Sequence, residues 1–337
     1  MHWEIERMIF VQMKLPIFLL FVVAQHFKST EAQAPRGWFI ATSTGPVCSL
    51  TYDAGTVDFT SVVQPPDSII STWILGDERS ATIVAQSKDI QARLVNSATN
   101  KKMDDLKNLF APTFTQHSPQ KLDGGDAMAT YLTSFDWANG GRETVMELYE
   151  GPYTFTLSKM KMGADTFAVA DLWIQGRSKF YEHWDAMRMS PGPNLSGRTL
   201  FDPVGPMKQV ANDERSKNKE LVVNSLNDYR NLKNPGSVKH FYAEDFIEHS
   251  MGGKDGLEPL TTAMATLKDM RNDIKAMVAE GDLVATLSSL TVTVENDFRS
   301  YVYVDVYRVK DCKLKEHWSF GERLPNADAF KNRNGPF

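Results

Sequence analysis

The residues of this chain best suited to proton transfer are four histidines, His117, His183, His249 and His317, and three aspartates, Asp171, Asp185 and Asp305. Histidine titrates nearest neutral pH, so a histidine in a pocket is the natural proton acceptor or donor. Asp171 and Asp305 interrupt apolar runs, "ADLWIQG" and "VDVYRV", where a carboxylate is costly unless it is paired or functional. In "YEHWDAM", taken as a strand, Tyr181, His183 and Asp185 share one face, and Glu182 and Trp184 share the other. A carboxylate two residues from a histidine on one face orients the ring or shares its proton work. In "KEHWSFG", Ser319 stands where the first run has Asp185, so the second copy of this pattern lacks one carboxylate. Trp184 and Trp318 are candidate substrate platforms, with packing as the competing reading. The same alternative holds for the histidines. His117 and His249, set before a serine at an expected helix-to-loop junction, have backbone groups to bond, and His183 and His317 have a neighbouring glutamate. No ligands stand at the short spacings of a zinc site, so no metal is expected.

These residues occur in pairs because the chain repeats itself. "LVNSATNKKMDDLKNLFAPTFTQHS", ending at Ser118, parallels "VVNSLNDYRNLKNPGSVKHFYAEDFIEHS", ending at Ser250. The second is four residues longer, and its "NPG" is a natural place for the insertion. Glu150-Gly151 then parallels Glu280-Gly281, and "ADLWIQGRSKFYEHW" aligns without a gap on "VDVYRVKDCKLKEHW". Four anchors in one order define a tandem duplication, each copy about one ordinary domain in length.

The bulk properties are those of a soluble globular protein, with 42% hydrophobic and 23% charged residues. A formal net charge of −5 argues against a general nucleic-acid binder. Near the start, Lys14 precedes an apolar run from Leu15 to Ala24, followed by small and polar residues, the order of a secretory signal peptide. The run is short for a membrane span, so stable membrane insertion is not expected after cleavage. Secretion would place Cys48 and Cys312 in an oxidising compartment where they are able to pair, and would make Asn194, in "NLS", a glycosylation acceptor. The expected layout is a signal peptide over 1–34, an extension over 35–92, repeat 1 over 93–190, a linker over 191–215, repeat 2 over 216–325 and a tail over 326–337. In the extension, "GWFIAT", "SIISTWIL" and "SATIVAQS" read as short strands.

Within each copy, helical spacing comes first and strand patterning follows. In the second, "SKNKELVVNSLNDYRNL" and "GLEPLTTAMATLKDM" read as helices. "IKAMVAEG", "LVATLSSLTVTVE", "RSYVYVDVYRV" and "KLKEHWSF" read as strands. Helices followed by an antiparallel meander indicate an α+β domain with helices packed in one face of a curved sheet. Two such copies are suited to pack sheet to sheet as an intramolecular pseudo-dimer, or to pair between chains.

The runs "FIEHS", "KDGLEPL", "AEGDLVATL" and "YVDVYRVKDCKLKEHW", with the ending "NADAFKNRNGPF", resemble the SnoaL-like group of the nuclear transport factor 2 superfamily. The first copy is similar more loosely, through "FTQHSPQKLDGGDAM" and "KFYEHWDAM". The resemblance implies tandem cone-shaped domains, each enclosing a mostly apolar pocket for a small, apolar or carbonyl-bearing molecule. It also implies cofactor-free acid–base chemistry of the aldol-cyclisation or isomerisation type, carried by the histidines and aspartates named above. The family includes members that only bind ligands or partners, so a non-catalytic binding or assembly role is the alternative.

Overall fold

The computed structural model describes residues 77–337 apart from 267–268 and 295–296. The signal-peptide segment, Cys48, "GWFIAT" and "SIISTWIL" lie outside the described residues. "SATIVAQS" does not form a strand: it lies in helix α1, Asp77–Thr99. Its β-branched residues favour a strand locally, but Ile90, Leu94 and Ala98, one helical turn apart, bury one face of α1 and carry the helix back through it. Repeat 1 therefore begins with α1, inside the expected extension.

Two helices, α2 (Met103–Lys107) and α3 (Gly125–Thr133), and five strands complete repeat 1. The strands are β1 (Phe110–Gln116), β2 (Arg142–Glu150), β3 (Tyr153–Met162), β4 (Asp165–Gly176) and β5 (Lys179–Met189). Repeat 2 has α4 (Asn212–Leu226), α5 (Ser237–Phe241), α6 (Leu257–Thr266) and strands β6 (Tyr242–Glu248), β7 (Arg271–Glu280), β8 (Leu283–Val294), β9 (Asp297–Lys310) and β10 (Lys313–Arg323). The sheet orders correspond, β1-β5-β4-β3-β2 and β6-β10-β9-β8-β7. The architecture is α+β, as the patterning predicts. The meander is antiparallel, but β1 and β6 are additional strands that pair in parallel with β5 and β10. His117 and His249 thus follow strands rather than helices. The four extra residues of repeat 2 accompany a π-helical turn, Asn227–Leu232, that continues α4.

Both faces of each sheet are covered. Alternate residues of the central strands point away from the helices and meet the other repeat: Ala170, Leu172 and Trp184 from one sheet, and Ala285, Val304 and Trp318 from the other, in one apolar cluster. The opposite faces carry two separate clusters closed by helices, one around Leu94, Phe110 and Trp173, the other around Leu226, Phe246 and Tyr307. The two repeats therefore form an intramolecular pseudo-dimer with a shared core.

Each repeat also straps the other. The expected linker runs across repeat 2, where Asn194 Nδ2 donates to Glu248 O (2.6 Å) and Ser250 O (3.3 Å). The expected tail runs across repeat 1, where Asn332 Nδ2 donates to Ser118 O (2.7 Å) and Lys121 O (3.0 Å). Asn194 is consequently no glycan acceptor in the folded chain, because the nitrogen that a sugar would occupy is buried and engaged with two carbonyls. At the edges, Glu150 Oε2 accepts from Ala279 N (2.9 Å) and Glu280 Oε2 accepts from Tyr149 N (2.8 Å), so the repeated Glu-Gly pairs are reciprocal clasps. Cys312, in the β9–β10 turn, is disulfide-bonded.

Asn332→Ala and Asn194→Ala each remove two hydrogen bonds from a strap, although Ser118 O and Ser250 O keep the backbone donors Lys121 N (3.1 Å) and Gly253 N (3.0 Å). Each is expected to cost about 2 kcal/mol, seen as a lower urea midpoint for unfolding. A loss in only one of the two variants would show that the straps are not equivalent.

Candidate functional site

The Glu-His-Trp triplet is split between the two faces of its strand. Trp184 and Trp318 turn outward into the shared core, each about 1% exposed, so neither is a substrate contact. His117 stacks on Trp184 and His249 on Trp318, with centroids 4.3 and 4.6 Å apart. Nε2 of His117 lies 3.1 Å from Glu182 Oε2, and Nε2 of His249 lies 2.8 Å from Glu316 Oε1. The Nδ1 atoms donate to strap carbonyls, Gly335 O (3.2 Å) and Thr199 O (3.1 Å). His117 and His249 therefore belong to the inter-repeat contact and not to a catalytic group with His183 and His317. Their position at a strand end on the outward side sets them there.

His183 and His317 face inward, where the structure brings them to the expected aspartates. In repeat 2, His317 Nε2 lies 2.9 Å from Asp305 Oδ1 and Nδ1 lies 2.9 Å from Glu248 Oε2. Arg230, on the π-helical turn, forks onto both Asp305 oxygens at 2.6 and 2.7 Å. Burial would lower His317, but Glu248 and Asp305 together push it up to about 9. His317 is thus an imidazolium at neutral pH, locked in the chain Glu248–His317–Asp305–Arg230. Two carboxylates and two cations balance.

Repeat 1 keeps the aspartate–histidine contact and changes the rest. His183 Nε2 lies 3.2 Å from Asp171 Oδ1, but Nδ1 faces Gln116 Oε1 at 3.0 Å, an amide where repeat 2 has Glu248. Burial therefore dominates and holds the His183 pKa below its ordinary value, the Asp171 bond opposing it without overcoming it. A neutral ring has a single N–H for two oxygens, so His183 is able to take up a proton. Asp171 pairs with Arg142 from β2, and Thr156 Oγ1 donates to it at 3.1 Å. Burial would raise Asp171; Arg142 and His183 override it and hold the carboxyl well below the usual carboxylate range. Asp185 pairs with Lys121. Asp171 and Asp185 are thus balanced by Arg142 and Lys121, leaving His183 uncharged. Asp171, His183 and Asp185 bring ligand-type atoms within 4.8 Å of one another, where Arg142 and Lys121 already supply the positive charge.

The sequence reading missed Arg142, Arg230, Lys121 and the Gln116/Glu248 pair. The last had a visible signal, because the residue preceding His117 or His249 must face the opposite side of a strand. Arg142 and Arg230 had none. Asn272 holds the β7 position equivalent to Arg142 on β2, two residues before the corresponding bulge, and accepts from Arg230 (3.0 Å).

Two spaces lie beside the repeat 1 group. A groove of about 640 Å³ lies between α1 and β2, lined by Lys88, Gln91, Ala92, Val95, Tyr149 and Glu280 among others. Gln91, Val95 and Thr144 also line a small inner chamber of about 10 Å³, whose walls include Trp137, Arg142, Thr156, Ser158, Asp171 and Trp173. His183 lines neither space; it stands behind Asp171, stacked on Trp173 at 3.8 Å.

Residues 224–317, within repeat 2, match the family model of the SnoaL-like domain. No curated protein matches the chain. Similar solved structures include a protein named as a candidate polyketide cyclase from Bacillus cereus, 17% identical, covering 38% of this chain and 93% of its own, with a TM-score of 0.30. A candidate SnoaL-like polyketide cyclase from Jannaschia is 15% identical, covering 34% and 90%, with a TM-score of 0.30. An LEH-like epoxide hydrolase from M. tuberculosis is 16% identical, covering 32% and 85%, with a TM-score of 0.30. Among the described residues, no helix is long and apolar enough to cross a membrane.

The two inward histidines respond oppositely to pH. His317 is raised above its unfolded value, so its contribution is complete below about pH 6.5 and is lost as the pH rises through about 9. The advantage of wild type over His317→Gln in urea midpoint is therefore expected to be largest near pH 6 and to shrink by about 3 kcal/mol on the alkaline side. His183 is lowered, so wild type loses ground to His183→Gln as the pH falls below about 6.5. Differences that stay flat with pH would overturn these charge states.

Proposed function

We propose that the protein binds a small, largely apolar molecule bearing a carbonyl or similar oxygen in repeat 1, while repeat 2 serves as its structural partner. The observation that carries this is a pair of adjacent spaces in repeat 1, an outer groove that shares Gln91, Val95 and Thr144 as a wall with a small chamber lined by Trp137, Trp173, Arg142 and Asp171. The chamber sets Leu94, Val95, Leu132, Trp137 and Trp173 against polar groups that include Arg142 and Asp171, and a small-molecule site likewise combines apolar walls with polar groups that fix orientation. In repeat 2 the corresponding carboxylate is locked by a bidentate arginine and an imidazolium, which suits a frame rather than a changing ligand. The charged-then-apolar order from Lys14 to Ala24, with a disulfide at Cys312, supports a secreted location for this binding.

Acid–base turnover of the cyclisation or isomerisation type is the second reading, favoured by the neutral His183 behind Asp171. A ligand oxygen that drew Arg142 away would leave Asp171 without the cation that holds its pKa down. The carboxylate would then accept a proton from the carbon beside a carbonyl, with Arg142 facing the enolate oxygen and His183 orienting the acid.

Screening carbonyl-bearing aromatic compounds by thermal shift is expected to give ligands that stabilise wild type but not Val95→Trp, which adds bulk at the wall that groove and chamber share. Compounds that stabilise both proteins equally would place binding elsewhere. Conversion of a bound compound by wild type, absent in Asp171→Asn that still binds it, would establish the second reading.

A further inference from the structure

Most polar groups on the groove wall have partners. Lys88 Nζ and Glu280 Oε1 pair at 3.2 Å across the repeat boundary, Tyr149 Oη donates to Glu147 Oε2 at 3.0 Å, and Asn100 Nδ2 donates to Asn96 Oδ1 at 2.9 Å. Gln91 differs. It is 6% exposed, it lines both the groove and the inner chamber, and its Oε1 is buried without a hydrogen-bond partner. On the inward face of α1 it lies among Ile90, Leu94 and Ala98 and two buried serines, Ser87 and Ser97; Ser87 Oγ donates to Gly151 O at 3.1 Å, whereas Gln91 Oε1 has no such partner. A buried carbonyl oxygen without a donor destabilises the folded state, and native proteins retain such groups where a ligand or water completes them. Ala92, Val95, Leu94 and Leu132 beside it have no side-chain donor, and the donors that line the same chamber, among them Arg142, Thr144 and Ser158, make no hydrogen bond to Gln91 Oε1.

We propose that Gln91 is the recognition residue on the wall that groove and chamber share, and that its carboxamide takes the hydroxyl or N–H end of a small aromatic ligand. This rests on the binding function assigned to repeat 1 and narrows its ligand to a compound carrying both a hydrogen-bond donor and an acceptor. The donor meets Gln91 and the acceptor points toward Arg142. The apolar body lies along Val95 and Tyr149. Water in the same place would complete the amide equally well, but would confer no preference between ligands with and without a donor.

Two measurements on the full chain test the proposal. In the ligand-free protein, Gln91→Met keeps the length of the side chain and removes the unpaired carbonyl, so Tm is expected to rise by about 2–4 °C. A fall in Tm would show that the amide is part of the frame and would overturn the proposal. Binding is then compared for 6-acetyl-2-naphthol and 2-acetyl-6-methoxynaphthalene, which share the carbonyl acceptor and differ in the hydroxyl donor, by quenching of tryptophan fluorescence. Wild type is expected to prefer the naphthol by about tenfold, and Gln91→Met to bind the two equally. Equal binding of both probes to wild type, or a preference that survives in Gln91→Met, would overturn the role of Gln91 while leaving a binding cavity in repeat 1. Failure of both probes to bind wild type would overturn the proposal together with the binding function on which it rests.

Discussion

The structure depends on the packing of one sheet against the other. Leu172, Trp184, Val304 and Trp318 remove the outward faces of both sheets from water, and helices remove the inward faces. No central strand therefore has a solvated side, and a polar residue there must find its partner inside the protein. Apolar burial of this kind is the main favourable term in folding, but it makes each internal charge expensive. The placement of Asp171, Asp305 and the inward histidines follows from that constraint, as do the strap asparagines and the reciprocal clasps of Glu150 and Glu280.

The two repeats meet the constraint differently. Repeat 2 neutralises two carboxylates with Arg230 and a protonated His317. Repeat 1 replaces Glu248 by Gln116 and Ser319 by Asp185, adds Lys121 and takes its guanidinium from β2. The number of buried charges balances in both, while the histidine changes protonation state. Divergence after duplication has therefore conserved neutrality rather than individual residues. Freed from carrying charge, the histidine of repeat 1 stands behind a carboxylate that lines a cavity. Its counterpart is held on both sides by anions.

Much of the fold was legible because strands alternate with a fixed period and the pattern occurs twice. The period placed His183 with Asp185 and opposite Trp184, and the ungapped alignment placed Asp171 against Asp305. The strands β1 and β6 were not legible, because "FAPTFTQ" and "YAEDFIE" are short edges whose pairing partners lie far along the chain. The start of repeat 1 was hidden by Thr82, Ile83 and Val84, whose local preference for strand yields to packing further along the helix. The arginine partners were hidden for another reason. Arg142 and Arg230 reach equivalent aspartates from a strand and from a π-helical turn, and no alignment of the repeats brings them together. His117 and His249 looked like members of the inward group because sequence spacing does not say which side of a strand end a side chain takes.

The exchange of straps has a consequence for how the chain is made. His117 and the carbonyls of Gln116, Ser118 and Lys121 find their partners in Asn332, Asn334 and Gly335, more than two hundred residues further on. Domains generally fold in the order of their synthesis, but repeat 1 emerges from the ribosome with its outer sheet face and its β1 edge both uncovered. It must wait as an incomplete body until repeat 2 has been translated and its last segment has swung back. The duplication thus trades early, independent folding of each copy for a closing step that occurs once, after synthesis has passed residue 335.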